Sequence, residues 1–150
     1  MKTLGIDISG TNLRWIVIKG TKSKGSLSYL TPNKLTFPTA GEDFLRNLIE
    51  LKRMVSAKLA SEKIELVGVI KSTHGCSVER AKCELIVELA CLETGVRCVL
   101  IDPRTVAAAL KPTGILKKLG GSFQDLFNAG QALDPAYLEG AAVCAWSAMT

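Results

Sequence analysis

The stretch MKTLGIDISGTNLRWIVIKG, residues 1–20, decides the fold. Residues 4–8 form an apolar run with one acid, Asp7, in its middle. A turn follows at Ser9-Gly10-Thr11-Asn12, and a second apolar run, residues 13–18, leads away. Two β-rich runs around a short Gly/Asn turn read as a β-hairpin. An ionised carboxylate inside such a strand is costly to desolvate unless a partner, a metal or water meets it. Asp7 therefore reads either as a site residue or as an acceptor for the turn amides of Gly10, Thr11 and Asn12.

The chain beyond the hairpin supplies the remaining elements. Residues 26–37 are β-prone but carry Pro32 and Asn33, which predicts a third strand at a sheet edge, where proline is tolerated. Thr39 with Glu42 three residues on has the spacing of a capping box. A helix is expected from there to about residue 60, with Phe44, Leu45, Leu48, Ile49, Met54, Val55 and Leu59 at helical spacing. Residues 64–70 read as a buried parallel strand. Ser77 caps a helix over 78–93, whose apolar positions Ala81, Leu85, Ile86, Leu89 and Ala90 suit a core face, and Gly95 stops it. Residues 96–101 make a fifth strand. Asp102-Pro103 opens a helix that ends near Lys111-Pro112. Residues 113–133 are broken by glycines and predict a loop with short helical turns. Asp134-Pro135 opens a last helix over 136–149.

The order is three antiparallel strands followed by α/β units. It predicts an α/β fold, one domain over residues 1–150, with a five-stranded mixed sheet of order 3-2-1-4-5 and helices on both faces. Strands one, four and five would aim their carboxyl ends at one rim, where ligands of open α/β sheets bind.

The opening strand–turn–strand resembles the ribonuclease-H-like superfamily, of which two branches share it. Asp7-Ile8-Ser9-Gly10-Thr11-Asn12 is similar in wording to the phosphate-cradling strand of actin-like sugar kinases, which implies a phosphate- or nucleotide-binding role for Gly10, Thr11 and Asn12. Those kinases need two such domains, and 150 residues supply one. The element order resembles the other branch, the RuvC-like nucleases. There an acid on strand one, a second at the end of strand four and others on the last helix bind two divalent cations. The resemblance implies Asp7 and Glu139 as metal ligands for Mg²⁺ or Mn²⁺, which prefer hard oxygen donors.

At the end of strand four the pattern departs, because Lys71 stands where the acid is expected and an ammonium cannot ligate a cation. Glu65 is six residues away, about 20 Å along a strand. Asp102 or Glu79 could supply the carboxylate from neighbouring elements, and Asp102 is the better placed, although Asp before Pro is also a common helix cap. Residues 69–111, with Ile70-Lys71, a Gly-rich connection, a helix around Glu84 and Asp102-Pro103-Arg104-Thr105-Val106-Ala107-Ala108-Ala109, also resemble a small bacterial family grouped with RuvC-like proteins, for which no activity is established. The expected site is Asp7, Lys71, Asp102 and Glu139 converging at one rim, with the Lys71 ammonium in the space of a cation.

The implied function is nucleic-acid processing by a RuvC-like protein, as a Mg²⁺-dependent nuclease with an atypical site. The alternatives are a catalytically inactive member that binds nucleic acid or protein, and a phosphate or nucleotide binder of the actin-like kinase type. A net charge of +5 permits a nucleic-acid partner. Five cysteines without a C-x-x-C pair, and a lone His74, give no zinc spacing. They read as reduced thiols of a cytoplasmic protein. No apolar run is long enough to span a membrane. A homodimer is a further expectation of the resemblance.

Overall fold

The computed structural model describes residues 1–9, 12–22, 26–36, 42–110 and 139–149. Gly10, Thr11, Thr39, Asp134 and the glycine-broken segment 113–133 lie outside them. Strands β1 (Lys2–Ser9), β2 (Asn12–Lys19), β3 (Ser28–Thr36), β4 (Leu66–Ile70) and β5 (Arg97–Ile101) alternate with helices α1 (Glu42–Ser61), α2 (Val78–Thr94) and α3 (Pro103–Leu110), and α4 (Glu139–Ala148) follows.

The sheet has the order β3-β2-β1-β4-β5. β1 pairs antiparallel with β2 and parallel with β4, and β4 pairs parallel with β5. β3 and β5 are the edge strands, and β3 carries Pro32. In β3, the strand ends Ser28 and Thr36 bound an irregular pairing. The register of β3 against β2 shifts between Trp15 and Val17, where Thr31 and Pro32 fit between the residues paired with them, Asn33 and Leu30. Proline lacks the N–H of a regular ladder, and a bulge on an edge is where it is accommodated.

Alternation along β1 divides the core in two. Leu4, Ile6 and Ile8 join Val67 and Val69 beneath α1 and α2. On the other face, Ile16, Ile18, Leu66, Ile70 and Ile101 pack with the alanines of α4 and with Val106 of α3. Apolar burial on both faces is the main favourable term holding these layers together.

The helix ends follow local chemistry. Ser77 is extended and its Oγ accepts from the Arg80 amide at 3.2 Å. Gly95, at φ 71°, adopts the left-handed conformation and closes α2 onto the Cys91 and Leu92 carbonyls. Asp102 Oδ1 accepts from the Arg104 amide at 2.7 Å and caps α3.

The buried stripes of α1 and α2 differ from the sequence expectation. In α1 they are Phe44, Leu48, Leu51, Val55 and Leu59, and Leu45 and Ile49 are 57% and 64% exposed. In α2 they are Cys83, Glu84, Val87, Ala90 and Cys91, whereas Ala81, Leu85 and Leu89 face outward. Both helices carry large apolar residues on two adjacent stripes. Periodicity alone then fits either one, and the sheet beneath selects the stripe that buries. No described helix is long and apolar enough to cross a membrane.

Candidate functional site around Asp7

Asp7 projects from β1 on the α4 side. Its partner across the β1–β2 ladder is Arg14, and Arg14 Nη1 lies 3.9 Å from Asp7 Oδ2. α4 passes so near that a Cβ on Gly140 would meet Asp7 Oδ2 at 2.9 Å. Two glycines set that approach. Gly5 and Gly68 are register partners on β1 and β4, and a Cβ on either would collide with α4, at the Ala141 and Cys144 carbonyls respectively. Ala141, Ala145 and Ala148 keep the facing stripe of α4 small, so the helix settles onto the strand backbones.

Burial raises the pKa of Asp7 above its ordinary 3.8, and the cationic Arg14 and then Arg80 pull against it without prevailing. At 3.9 Å the Arg14 contact is at the outer limit of an ion pair, so it offsets little of the desolvation. Arg80 comes from the first turn of α2. It was not anticipated from the sequence, because nothing in its local spacing connects it to the first strand.

The β4 residue on the same face as Asp7 is Ile70. The β1–β4 ladder runs Gly5 with Gly68 and Ile6 with Val69. The next step along both strands sets Ile70 beside Asp7. Ile70 is 7% exposed in the α4-side core, and it pairs in turn with Ile101 of β5. The position expected to hold an acid or Lys71 is therefore apolar. Lys71 is one residue further, exposed, with its amide donating to the Ile101 carbonyl at 2.9 Å.

Lys71 and Asp102 are brought together elsewhere. With Ser72, His74 and Arg104 they line an open hollow of about 390 Å³ at the carboxyl ends of β4 and β5, whose lining includes neither Asp7 nor Glu139. The Asp102 carboxylate is engaged with the α3 amide. Lys71 makes no ion pair among the described residues. Glu139 is half-buried and immediately precedes Gly140, which places its backbone next to Asp7. Asn12 lies at the start of β2, opposite Ser9.

A second acid near this rim had no site role in the sequence reading, which marked it only within its helix. Glu84 is buried on the inward stripe of α2, and its Oε2 accepts a hydrogen bond from the Ser72 amide, just beyond Lys71. A carboxylate on an apolar helical stripe was its only signal.

A pair of divalent cations needs several hard oxygen donors converging on one point. No cluster of three or more His, Cys, Asp or Glu is placed to hold a metal among the described residues. On the Asp7 face, Ile70 supplies no donor and two guanidinium groups act on the carboxylate. These residues do not fit a two-cation site.

No protein-family model matches the chain, and no curated protein matches it in sequence. Solved structures do match. RuvC of T. thermophilus in complex with a Holliday junction substrate is 18% identical over 98% of this chain and 91% of its own, with a TM-score of 0.74. A Thermus thermophilus RuvC structure is 19% identical over 98% and 92%, with a TM-score of 0.73. A likeness of this extent over nearly the whole chain, together with the sheet order 3-2-1-4-5, identifies the fold as ribonuclease-H-like in its RuvC form.

Proposed function

We propose that the protein binds branched nucleic acid through its RuvC-like fold and does not cut it by two-metal chemistry. The observation that carries this reading is the β1–β4 register, which one step past Ile6 and Val69 brings buried Ile70 level with Asp7, where two-metal hydrolysis would need a second carboxylate. Arg14 at 3.9 Å from Asp7, with the charge of Arg80 also acting on that carboxylate, favours a phosphate at that face over a cation. Lys71, His74 and Arg104 around the neighbouring hollow give a second contact for a phosphate backbone. The +5 net charge favours the encounter. A RuvC is known in complex with a Holliday junction, which makes a four-way DNA junction the first ligand to try.

A second reading, a Mg²⁺- or Mn²⁺-dependent nuclease, is favoured by one observation, the close approach of Gly140 to Asp7, because Glu139 is the residue before it. Asp7 and Glu139 would then hold a cation, which would supply Lewis-acid activation of water. Binding of a labelled junction, with and without divalent ions, separates the two. Retention without cutting supports the first reading, and metal-dependent cutting supports the second.

A further inference from the structure

The carboxyl-terminal half of α2 and the start of β5 enclose an apolar groove of about 340 Å³. Leu85, Leu89, Leu92 and Val96 line it together with Cys91, Cys98 and one carboxylate, Glu88. The two cysteines meet because Gly95 reverses the chain. The Val96 amide donates to the Cys91 carbonyl at 3.0 Å, and β5 begins at Arg97. This returns Cys98 against the helix face that carries Cys91. Both thiols line the same groove, close enough for each to shift the other's titration. Both are free thiols. Cys91 is buried, and Cys98 is partly exposed.

We propose that Cys91 and Cys98 form a redox-modification site, a dithiol that a small disulfide entering this groove converts into an intramolecular Cys91–Cys98 disulfide. Cys98 is the partly exposed thiol and Cys91 the buried one, and their mutual interaction holds Cys98 below the ordinary cysteine value while it and burial push Cys91 up. Cys98 is thus the attacking group and Cys91 the resolving one. The Cys98 thiolate attacks one sulfur of the small disulfide, whose S–S bond breaks to release a thiolate. A mixed disulfide is left on Cys98. Cys91 passes its proton to the released thiolate, and its sulfur attacks Cys98 Sγ. The bond to the second small sulfur breaks, and that sulfur leaves as a thiolate that takes up from water the proton Cys98 had released. Two protein thiols lose two electrons, and one small disulfide gains them as two thiols.

The other cysteines do not share this arrangement. Cys83 and Cys144 are buried, on α2 and α4, and Cys76 lies in the segment before α2.

The test uses the full chain, reduced, desalted and incubated with oxidised glutathione at neutral pH. Intact mass and non-reduced tryptic maps are then read. Wild type should lose the mass of two hydrogens and link the peptide of residues 83–97 to that of residues 98–104. Fragmentation should assign the bond to Cys91 rather than Cys83. Cys91→Ser should stop at one glutathione on Cys98, and Cys98→Ser should give no cross-link. An unmodified 98–104 peptide in oxidised wild type would overturn the proposal. So would a bond joining other cysteines, or glutathione retained on Cys98 without closure.

Discussion

Gly5 and Gly68 are paired across the parallel β1–β4 ladder, and both are covered by the backbone of α4. A Cβ would stand 1.9 Å from the Ala141 oxygen at Gly5, and 2.6 Å from the Cys144 oxygen at Gly68. The missing side chains let a helix of small residues rest on the strands themselves. That seating brings Gly140 against the Asp7 carboxylate.

Gly5→Ala and Gly68→Ala should therefore each destabilise the protein by about 1–3 kcal/mol or more, the usual cost of overpacking a filled core. The neighbouring atoms are backbone and cannot move aside as a flexible side chain can. Urea unfolding of the two variants measures this. Wild-type midpoints for both would mean that α4 is not seated as described.

Asp7 predicts a pH dependence with a definite sign. Its pKa is raised, so the folded chain holds the proton more tightly than the unfolded chain. Its contribution to stability is fully present below the ordinary value of 3.8 and is lost as pH rises through the raised folded value. Asp7→Asn remains neutral throughout. Relative to wild type it should gain stability from acid to neutral pH, as read by denaturant unfolding at several pH values. A relative loss over the same window would show that Arg14 and Arg80 outweigh burial.

The sheet order was legible because each strand is a contiguous apolar run bounded by turn residues, and Pro32 marked the edge. Ser77, Gly95 and Asp102-Pro103 marked helix ends by local hydrogen bonding, which sequence carries directly. The buried faces of α1 and α2 were less legible. Leu45, Ile49, Leu85 and Leu89 are as apolar as the residues that do bury, and only the sheet distinguishes them. The site was legible at Asp7, an acid within a strand. It was not legible at β4, because a one-residue change of register exchanges the faces, and Ile70 rather than Lys71 stands beside Asp7. Arg80 and Glu84 reach the rim from α2 through tertiary packing that local sequence does not encode.

Ile70 and Lys71 should consequently respond in opposite ways. Ile70→Glu buries a second carboxylate beside Asp7 and should cost about 3–5 kcal/mol without divalent ions, the usual penalty for an uncompensated buried charge. Mn²⁺ should restore part of it by ligand linkage. Lys71→Glu, at an exposed position, should melt like wild type and ignore Mn²⁺. Thermal melts with and without metal check both. A Lys71→Glu variant that is rescued by Mn²⁺ would return Lys71 to the Asp7 face.

The hollow at the β4 and β5 ends makes a prediction about salt. Lys71→Ala and Arg104→Ala should each weaken junction binding uniformly across sequences and lower the slope of log affinity against log salt by about 1, as loss of a phosphate contact does. Titrations at several salt concentrations give the slope. Unchanged slopes in both variants would remove the hollow from the interface.

We propose that this RuvC-like fold binds branched nucleic acid without a two-cation site. The most direct measurement incubates wild type and Asp7→Asn with a labelled four-way DNA junction in Mg²⁺ or Mn²⁺, and reads retardation and cutting from the same samples. Both proteins should retard the junction, and neither should cut it above background. Metal-dependent cutting by wild type that disappears in Asp7→Asn would contradict the claim.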